Sequence, residues 1–307
     1  MSAHLTPATT TQAARKAFLF GLAIAMVGAV LFSTKAIVAK LIYRYPVDAV
    51  TLIAFRMLFA LPFFAAVALW QARVSAPLTG AERLRIVILG LVGYYVSSFL
   101  DFLGLQYISA GLERLILFLS PSFVLLISTR FLKKKISAPE WSALAISYLG
   151  TVLVFLHDVR SGGPKVLLGA GFVLGSAITY ALYLLYSGEM VRRVGAMRLV
   201  AYAMCVSSAA CILQFFVLRP VSMLVQPTAV YGLSLFNAVF CTVLPVFLTM
   251  VAVARIGAGT TSQAGMVGPV STLFLGAVVL GEPITGFQLG GTTLVLSGIY
   301  LLSKKKA

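Results

Sequence analysis

Apolar residues in this chain gather into long runs separated by short polar breaks. Ten such runs can be traced, over residues 17–41, 48–70, 86–107, 112–131, 139–157, 167–187, 198–218, 229–253, 260–280 and 285–302. A helix rises 1.5 Å per residue, so about 20 residues span a bilayer's hydrocarbon core. The runs have that length and lack the strict alternation, in segments of about ten residues, that a membrane β-barrel requires. The pattern predicts an all-α membrane protein with ten transmembrane helices.

The runs repeat at one constant offset. Moving the chain by 148 residues lays Gly21 on Gly169, Ile108 on Ile256, Ala110–Gly111 on Ala258–Gly259, Pro121 on Pro269, Ile136 on Ile284 and Gly150 on Gly298, without a gap. Each repeat holds five spans, an odd number, so the second copy must enter the membrane from the opposite side. The expected organisation is a cytoplasmic tail over 1–16, a five-helix repeat over 17–157 and an extracytoplasmic linker over 158–166. An inverted five-helix repeat over 167–302 and a basic tail over 303–307 follow. Inverted repeats are a common plan for secondary transporters, with the substrate site near the midplane between the halves.

Composition agrees with a lipid environment. Hydrophobic residues make up 60% of the chain and charged residues 10%, where a water-soluble domain carries roughly 25% charged. Mean hydropathy is +1.01. The net charge of +16 would suit nucleic acid if it formed a patch, but the Lys and Arg residues sit in short breaks between apolar runs. That is a topology signal. With the N-terminus in the cytoplasm, sixteen Lys and Arg fall on the cytoplasmic side and six on the other, which predicts both termini inside. Residues 1–14 carry no Asp, Glu, Lys or Arg, and the run after Arg15–Lys16 exceeds the core of a signal peptide. The expected location is the bacterial inner membrane, with lipid as a partner, no nucleic acid, and a monomer or weak dimer as the assembly.

The stretch YISAGLERLILFLSPSFVLL, a basic turn and EWSALAISYLGTVLVF resemble the EamA repeat of the drug/metabolite transporter superfamily. So does GAGTTSQAGMVGPVSTLFLGAVVLGEPITGFQLGGTTLVLSGIYLL, with its Gly281–Glu282–Pro283 loop. The resemblance covers nearly the whole chain. It implies a ten-helix exporter of small metabolites, often amino acids, with YddG-type amino-acid exporters as one branch. Two departures stand out: Lys133–Lys134–Lys135 replaces the Gly-Glu-Pro loop in the first half, and Phe32 stands where many members carry Trp.

Charged residues inside spans cost about 2.5–3.5 kcal/mol each on insertion scales, so those present need a reason. Lys35, Arg56 and Asp101 lie within predicted spans, and Glu113 and Arg114 near a helix end. Their repeat mates Tyr183, Met204, Thr249, Thr261 and Ser262 are all uncharged. The charge therefore belongs to one half. It serves either an ion-pair network between helices or a charged group on the substrate. Helical spacing orders the polar residues into faces. Gly28, Phe32 and Lys35 form one row, with mates Ser176, Tyr180 and Tyr183. Tyr94, Ser98 and Asp101 form another, with mates Thr242, Val246 and Thr249. Matched rows of this kind predict a central cavity. From them Phe32, Lys35, Tyr94, Ser98, Asp101, Tyr180, Tyr183, Thr242 and Thr249 are the substrate-binding candidates. Arg56, Glu113, Arg114, Pro121 and Pro269 are the gating or ion-pair candidates. Both prolines are expected mid-span, each interrupting a helix and freeing a carbonyl toward the pathway. Small-residue spacings at Gly171–Gly175 and Gly286–Gly290 are expected at close helix contacts.

No catalytic motif is present: there is no HExxH or GxSxG, and the only histidines are His4 and His157. Cys205, Cys211 and Cys241 lie in apolar runs without metal-ligand spacing, and no cofactor or metal is expected. The sequence thus predicts a non-enzymatic secondary transporter that exports small metabolites, amino acids first, by alternating access. A channel or lipid-handling protein without a carrier cycle is the alternative.

Overall fold

A computed structural model describes residues 7–132 and 137–304, every regular element of which is helical. The basic turn Lys133–Lys135, Ile136 and the end of the basic tail lie outside the described residues. The helices are α1 (Pro7–Ile42), α2 (Ala49–Val74), α3 (Gly80–Gly90), α4 (Ser97–Leu105), α5 (Ala110–Leu117), α6 (Ser120–Leu132) and α7 (Ala138–Gly162). The second half holds α8 (Pro164–Val194), α9 (Ala196–Leu218), α10 (Thr228–Ala238), α11 (Leu244–Ala264), α12 (Val267–Leu275) and α13 (Gly286–Lys304). Among the described residues, eight helical stretches are long and apolar enough to cross a membrane, from Lys16–Ile42 to Thr228–Gly257. The ninth expected run, 260–280, instead breaks between Ala264 and Val267, which leaves a shorter apolar helix over Val267–Leu280.

Short polar residues set the boundaries. Asp48 accepts a hydrogen bond from the Thr51 amide at 2.9 Å and starts α2. Thr79 and Glu82 cap α3 reciprocally, and Ser109 caps α5 through the Leu112 amide at 3.1 Å. Each cap satisfies an amide that has no partner inside its own helix. Gly163 and Gly195, at φ of 74° and 83°, turn the chain before α8 and α9 in a conformation costly for any residue with a Cβ.

The repeat seen in the sequence recurs in local geometry. A π-helical turn over Leu91–Val96 joins α3 to α4, and another over Val239–Val243 joins α10 to α11, so both begin at the same point of their halves. The break before α5, at Ser109, has its counterpart at Gly257, whose φ of 79° kinks α11. Packing repeats as well. α1 lies along α11 while α8 lies along α4; α2 packs on α9 and α7 on α13. Gly21 abuts Ile256 as Gly169 abuts Ile108, the same pair with the halves exchanged.

Tight helix crossings sit on glycines other than those the spacing singled out. A Cβ at Gly104 would stand 2.5 Å from the Gly169 carbonyl oxygen, and one at Gly150 would stand 2.6 Å from the Gly291 carbonyl oxygen. Of the glycines the spacing singled out, a Cβ at Gly175 would stand 3.3 Å from Leu100 and one at Gly290 3.7 Å from Leu153, while one at Gly171 or Gly286 would meet nothing within 4 Å. Spacing within one helix finds a small-residue stripe, but which stripe faces a neighbour depends on how that helix is rotated.

Interior and exterior are both apolar. Ile37, Leu52, Met57, Phe64, Phe102 and Leu105 form the fully buried core, while Leu69, Trp70, Leu213, Val217 and Phe274 are more than half exposed. In water such a surface would associate; lipid tails solvate it.

Candidate functional site

A cavity of about 440 Å³ lies where the halves meet, within the range of small-ligand sites. Eleven of the twelve residues in the four polar rows line it: Gly28, Phe32, Lys35, Tyr94, Ser98, Asp101, Ser176, Tyr180, Thr242, Val246 and Thr249. Tyr183 does not. It is buried behind Tyr94, whose hydroxyl lies 3.1 Å from its own, and its ring packs edge-on to that of Tyr94 at 4.8 Å. Gly93, whose Cβ would collide with the Tyr183 ring, makes room for this.

The π-helical turns present two of the lining side chains in the polar rows. Tyr94 lies in the first, and Thr242 lies in the second, where its hydroxyl donates to the Asn237 carbonyl five residues back at 3.0 Å. Such turns recur at functional sites because the extra residue re-aims the side chains of that turn. Ser97 and Ser176 meet across the cavity wall at 3.0 Å between hydroxyls, joining α4 to α8.

Five charged residues, all buried, cluster at one end of the cavity. The Lys35 ammonium pairs with Asp101 Oδ2 and lies 3.2 Å from Glu113 Oε1. Its charge also sits 5.4 Å from the ring centres of Phe32 and Phe102. Glu113, fully buried, stands behind the lining. Arg56 and Arg114 were expected as ion-pair partners, but neither has a carboxylate within 4.0 Å among the described residues. Arg56 Nε donates to Thr242 Oγ1 at 2.8 Å, and its Nη1 is buried without a partner. The Arg114 guanidinium lies between the Phe32 and Phe118 rings, at 5.1 and 5.6 Å, with Nε unpartnered. Aromatic faces attract cations but do not neutralise them. The two carboxylates thus contact the ammonium, and the two guanidiniums face the cavity with no carboxylate within 4.0 Å among the described residues.

Pro121 falls in the middle of the Ala110–Thr129 span, and each proline lies at an interruption as expected, but each follows a break between two helices and kinks neither. Pro121 is the second residue of α6 and Pro269 the third of α12. In a helix's first turn the missing N–H costs nothing, because that amide has no partner in its own helix. The Leu117 carbonyl, which an amide at 121 would have met, accepts from Ser120 Oγ at 2.6 Å; the Gly265 carbonyl accepts from the Gly268 amide at 2.9 Å. Pro121 lines the cavity, whereas Pro269 is buried outside the lining.

Several lining residues were absent from the sequence-derived set, among them Phe118, Met204, Pro245, Met250, Thr261 and Gly265. The 148-residue offset could have found some: Met204 is the mate of Arg56, Thr261 of Glu113 and Pro245 of Ser97. Among the described residues no three His, Cys, Asp or Glu side chains gather as a metal site.

At the end of the cavity beyond Lys35, polar contacts join the halves. Glu282 lies 3.8 Å from the Lys40 ammonium and accepts from the Ala110 amide at 3.2 Å. Nearby, Ser109 donates to Asp158 at 2.7 Å. The lining along α1 runs from Lys35 back to Ala25 and stops short of Lys40.

Comparison with known proteins places this architecture. The model of the EamA-like transporter family matches twice, over residues 19–156 and 167–304. A Bacillus subtilis protein named "Uncharacterized transporter YcbK" is 30% identical over 89% of this chain and 90% of its own length. An Archaeoglobus fulgidus "Uncharacterized transporter" is 26% identical over 72% of this chain and 78% of its own. A solved structure titled "Crystal structure of protein" shares the fold at a TM-score of 0.65 and 16% identity, covering 93% of this chain and 98% of that one. Two repeats at the 148-residue offset, a multi-pass helical body and a cavity between the halves lead to one conclusion: the chain belongs to the EamA-like transporter family, within the drug/metabolite transporter superfamily.

Proposed function

We propose that this transporter is a secondary carrier that exports small carboxylate-bearing metabolites, amino acids being the reference class, across a bacterial inner membrane by alternating access. The observation that carries the reading is the cavity whose walls come from both halves, α1, α2 and α4 on one side and α8 and α11 on the other. Rocking of one half against the other would expose such a cavity to each side in turn. In this reading the chain crosses the membrane ten times with both termini cytoplasmic, in two inverted repeats over 17–157 and 167–302. The Lys40–Glu282 contact then closes the outer side, and Arg56, Lys35, Asp101 and Arg114 lie between that closure and the rest of the cavity.

Counterflow tests the carrier cycle. Purified protein in liposomes preloaded with unlabelled substrate should accelerate entry of the labelled compound, because a carrier returns faster loaded than empty. Flux that is indifferent to preloading would identify a pore. Accessibility tags test the topology: a tag in the 158–165 linker should report outside and one at the N-terminus inside.

A further inference from the structure

We infer that the cavity recognises a small organic anion through Arg56 and Arg114 and disfavours a substrate ammonium. This rests on the carrier reading for its biological meaning but replaces amino acids, its reference class, with carboxylates that carry no ammonium; the binding chemistry stands on the cavity alone.

The charge count comes first. Lys35, Arg56 and Arg114 against Asp101 and Glu113 are three cations against two carboxylates, and all five are more than nine-tenths buried. Lys35 takes both carboxylates. Glu113 stands outside the lining, and Asp101, which reaches it, has Oδ2 held by the Lys35 ammonium; Asp101 Oδ1, like Arg56 Nη1 and Arg114 Nε, is buried without a hydrogen-bond partner. Arg56 and Arg114 line the cavity, and among the described residues neither has a carboxylate within 4.0 Å. A buried, unpaired guanidinium is unfavourable unless something supplies the opposite charge. A guanidinium fork matches a carboxylate in geometry and cannot be relieved by deprotonation.

The two arginines flank Lys35. Arg56 shares the Phe102 ring with Lys35, at 5.0 Å, and Arg114 shares the Phe32 ring with it, at 5.1 Å. One anionic group placed between them brings the cluster to zero net charge. A zwitterionic amino acid brings a second cation into a cavity whose carboxylates are committed. Phe32, Phe118, Tyr94 and Tyr180 surround the remaining space, which suits an apolar or aromatic remainder.

The test uses full-length protein in detergent and three compounds with one carbon frame: 3-phenylpropanoate, L-phenylalanine and 3-phenylpropanamide. 4-Methylpentanoate and L-leucine serve as an aliphatic pair. The carboxylates should raise the thermal midpoint in a saturable way, their amino-acid partners should need at least tenfold higher concentration, and the amide should have no effect. Arg56→Gln and Arg114→Gln should each weaken carboxylate binding at least tenfold. Their ligand-free midpoints should match or exceed that of the native protein, because an uncompensated buried charge has gone; Arg114→Lys should recover part of the binding. Equal binding of amide and carboxylate, no response to either carboxylate, or a full response to sulfate or chloride at the same concentration would each overturn the inference. So would Gln variants that lose midpoint yet keep the carboxylate response, which would make the arginines structural. Carboxylates that bind but show no counterflow leave the anion site standing and refute the carrier; counterflow of the amino acids and amide alone does the reverse.

Discussion

Lys35 illustrates how neighbours decide a side chain's role. An ammonium in a span can bind a substrate carboxylate or hold the protein's own; here it holds Asp101 and Glu113. Removing one member of a buried pair leaves the other charge uncompensated, at about 3–5 kcal/mol. Lys35→Met should therefore lower the thermal midpoint sharply. Adding Asp101→Asn and Glu113→Gln should restore much of it. If the single variant is as stable as the native protein, Lys35 is not the centre of the cluster. The Asp48–Arg219 pair outside the spans behaves differently. Burial raises the Asp48 carboxyl, but hydrogen bonds from Thr51 and the Arg219 guanidinium outweigh it and hold the carboxyl below its ordinary range. A carboxyl lowered on folding stabilises above its unfolded value, about 3.9, and loses that contribution as pH falls through the folded one. The pair's contribution should be flat from pH 5 to 8 and fade only in acid. With side chains 36% and 30% exposed, it contributes below about 1 kcal/mol. Arg219→Gln should weaken that acid sensitivity without abolishing it, because the Thr51 hydrogen bonds to the carboxylate remain.

Among the elements, α4 and α8 cross where both surfaces are glycine. Gly104→Val would force a side chain into the Gly169 carbonyl and Val173. Overpacking of that kind costs about 1–3 kcal/mol, and this contact is backbone against backbone, which has little room to give. Gly171→Val, on the open face of the same α8, is the matched control and should be near neutral. Thermal unfolding of the two variants separates the crossing from the mere presence of glycine. The prolines call for the opposite expectation. Since Pro269 sits in the first turn of α12, Pro269→Ala should change stability by less than about 1 kcal/mol and leave counterflow intact. A marked transport defect would show that the rigid ring at that joint matters for the cycle.

At the scale of the molecule, each end carries an ion pair between the halves, Lys40–Glu282 at 3.8 Å on one and Arg85–Glu189 at 3.6 Å on the other. Glu282 joins Lys40 and the start of α5, whereas the repeat mate of Lys40 is Gly188, which cannot form such a pair. In the carrier reading, weakening this contact favours opening on that side. Glu282→Gln should shift the balance by under about 1 kcal/mol, or up to roughly fivefold in population. A cysteine at Ser98, in a background lacking Cys205, Cys211 and Cys241, would report it. An impermeant thiol reagent added outside should label that cysteine faster when Glu282 is Gln. An unchanged rate would show that the contact is no gate.

Apolar run length, the 148-residue offset and the polar rows on helix faces were all legible from the chain alone. Each depends on periodicity within a segment, and a helix converts spacing directly into position on a face. That is why eleven of twelve row residues meet at one cavity. Relations between segments were not legible. The pairing of Lys35 with both carboxylates arises where α1, α4 and α5 converge, and no spacing within one of them encodes the distance to another. The same holds for the glycine crossings, which depend on each helix's rotation about its axis. It holds again for Pro121 and Pro269, whose meaning changed once the chain broke just before each of them. Local sequence dictates what each helix offers on each face; packing decides which offers meet, and so leaves two arginines facing the cavity without a carboxylate in contact.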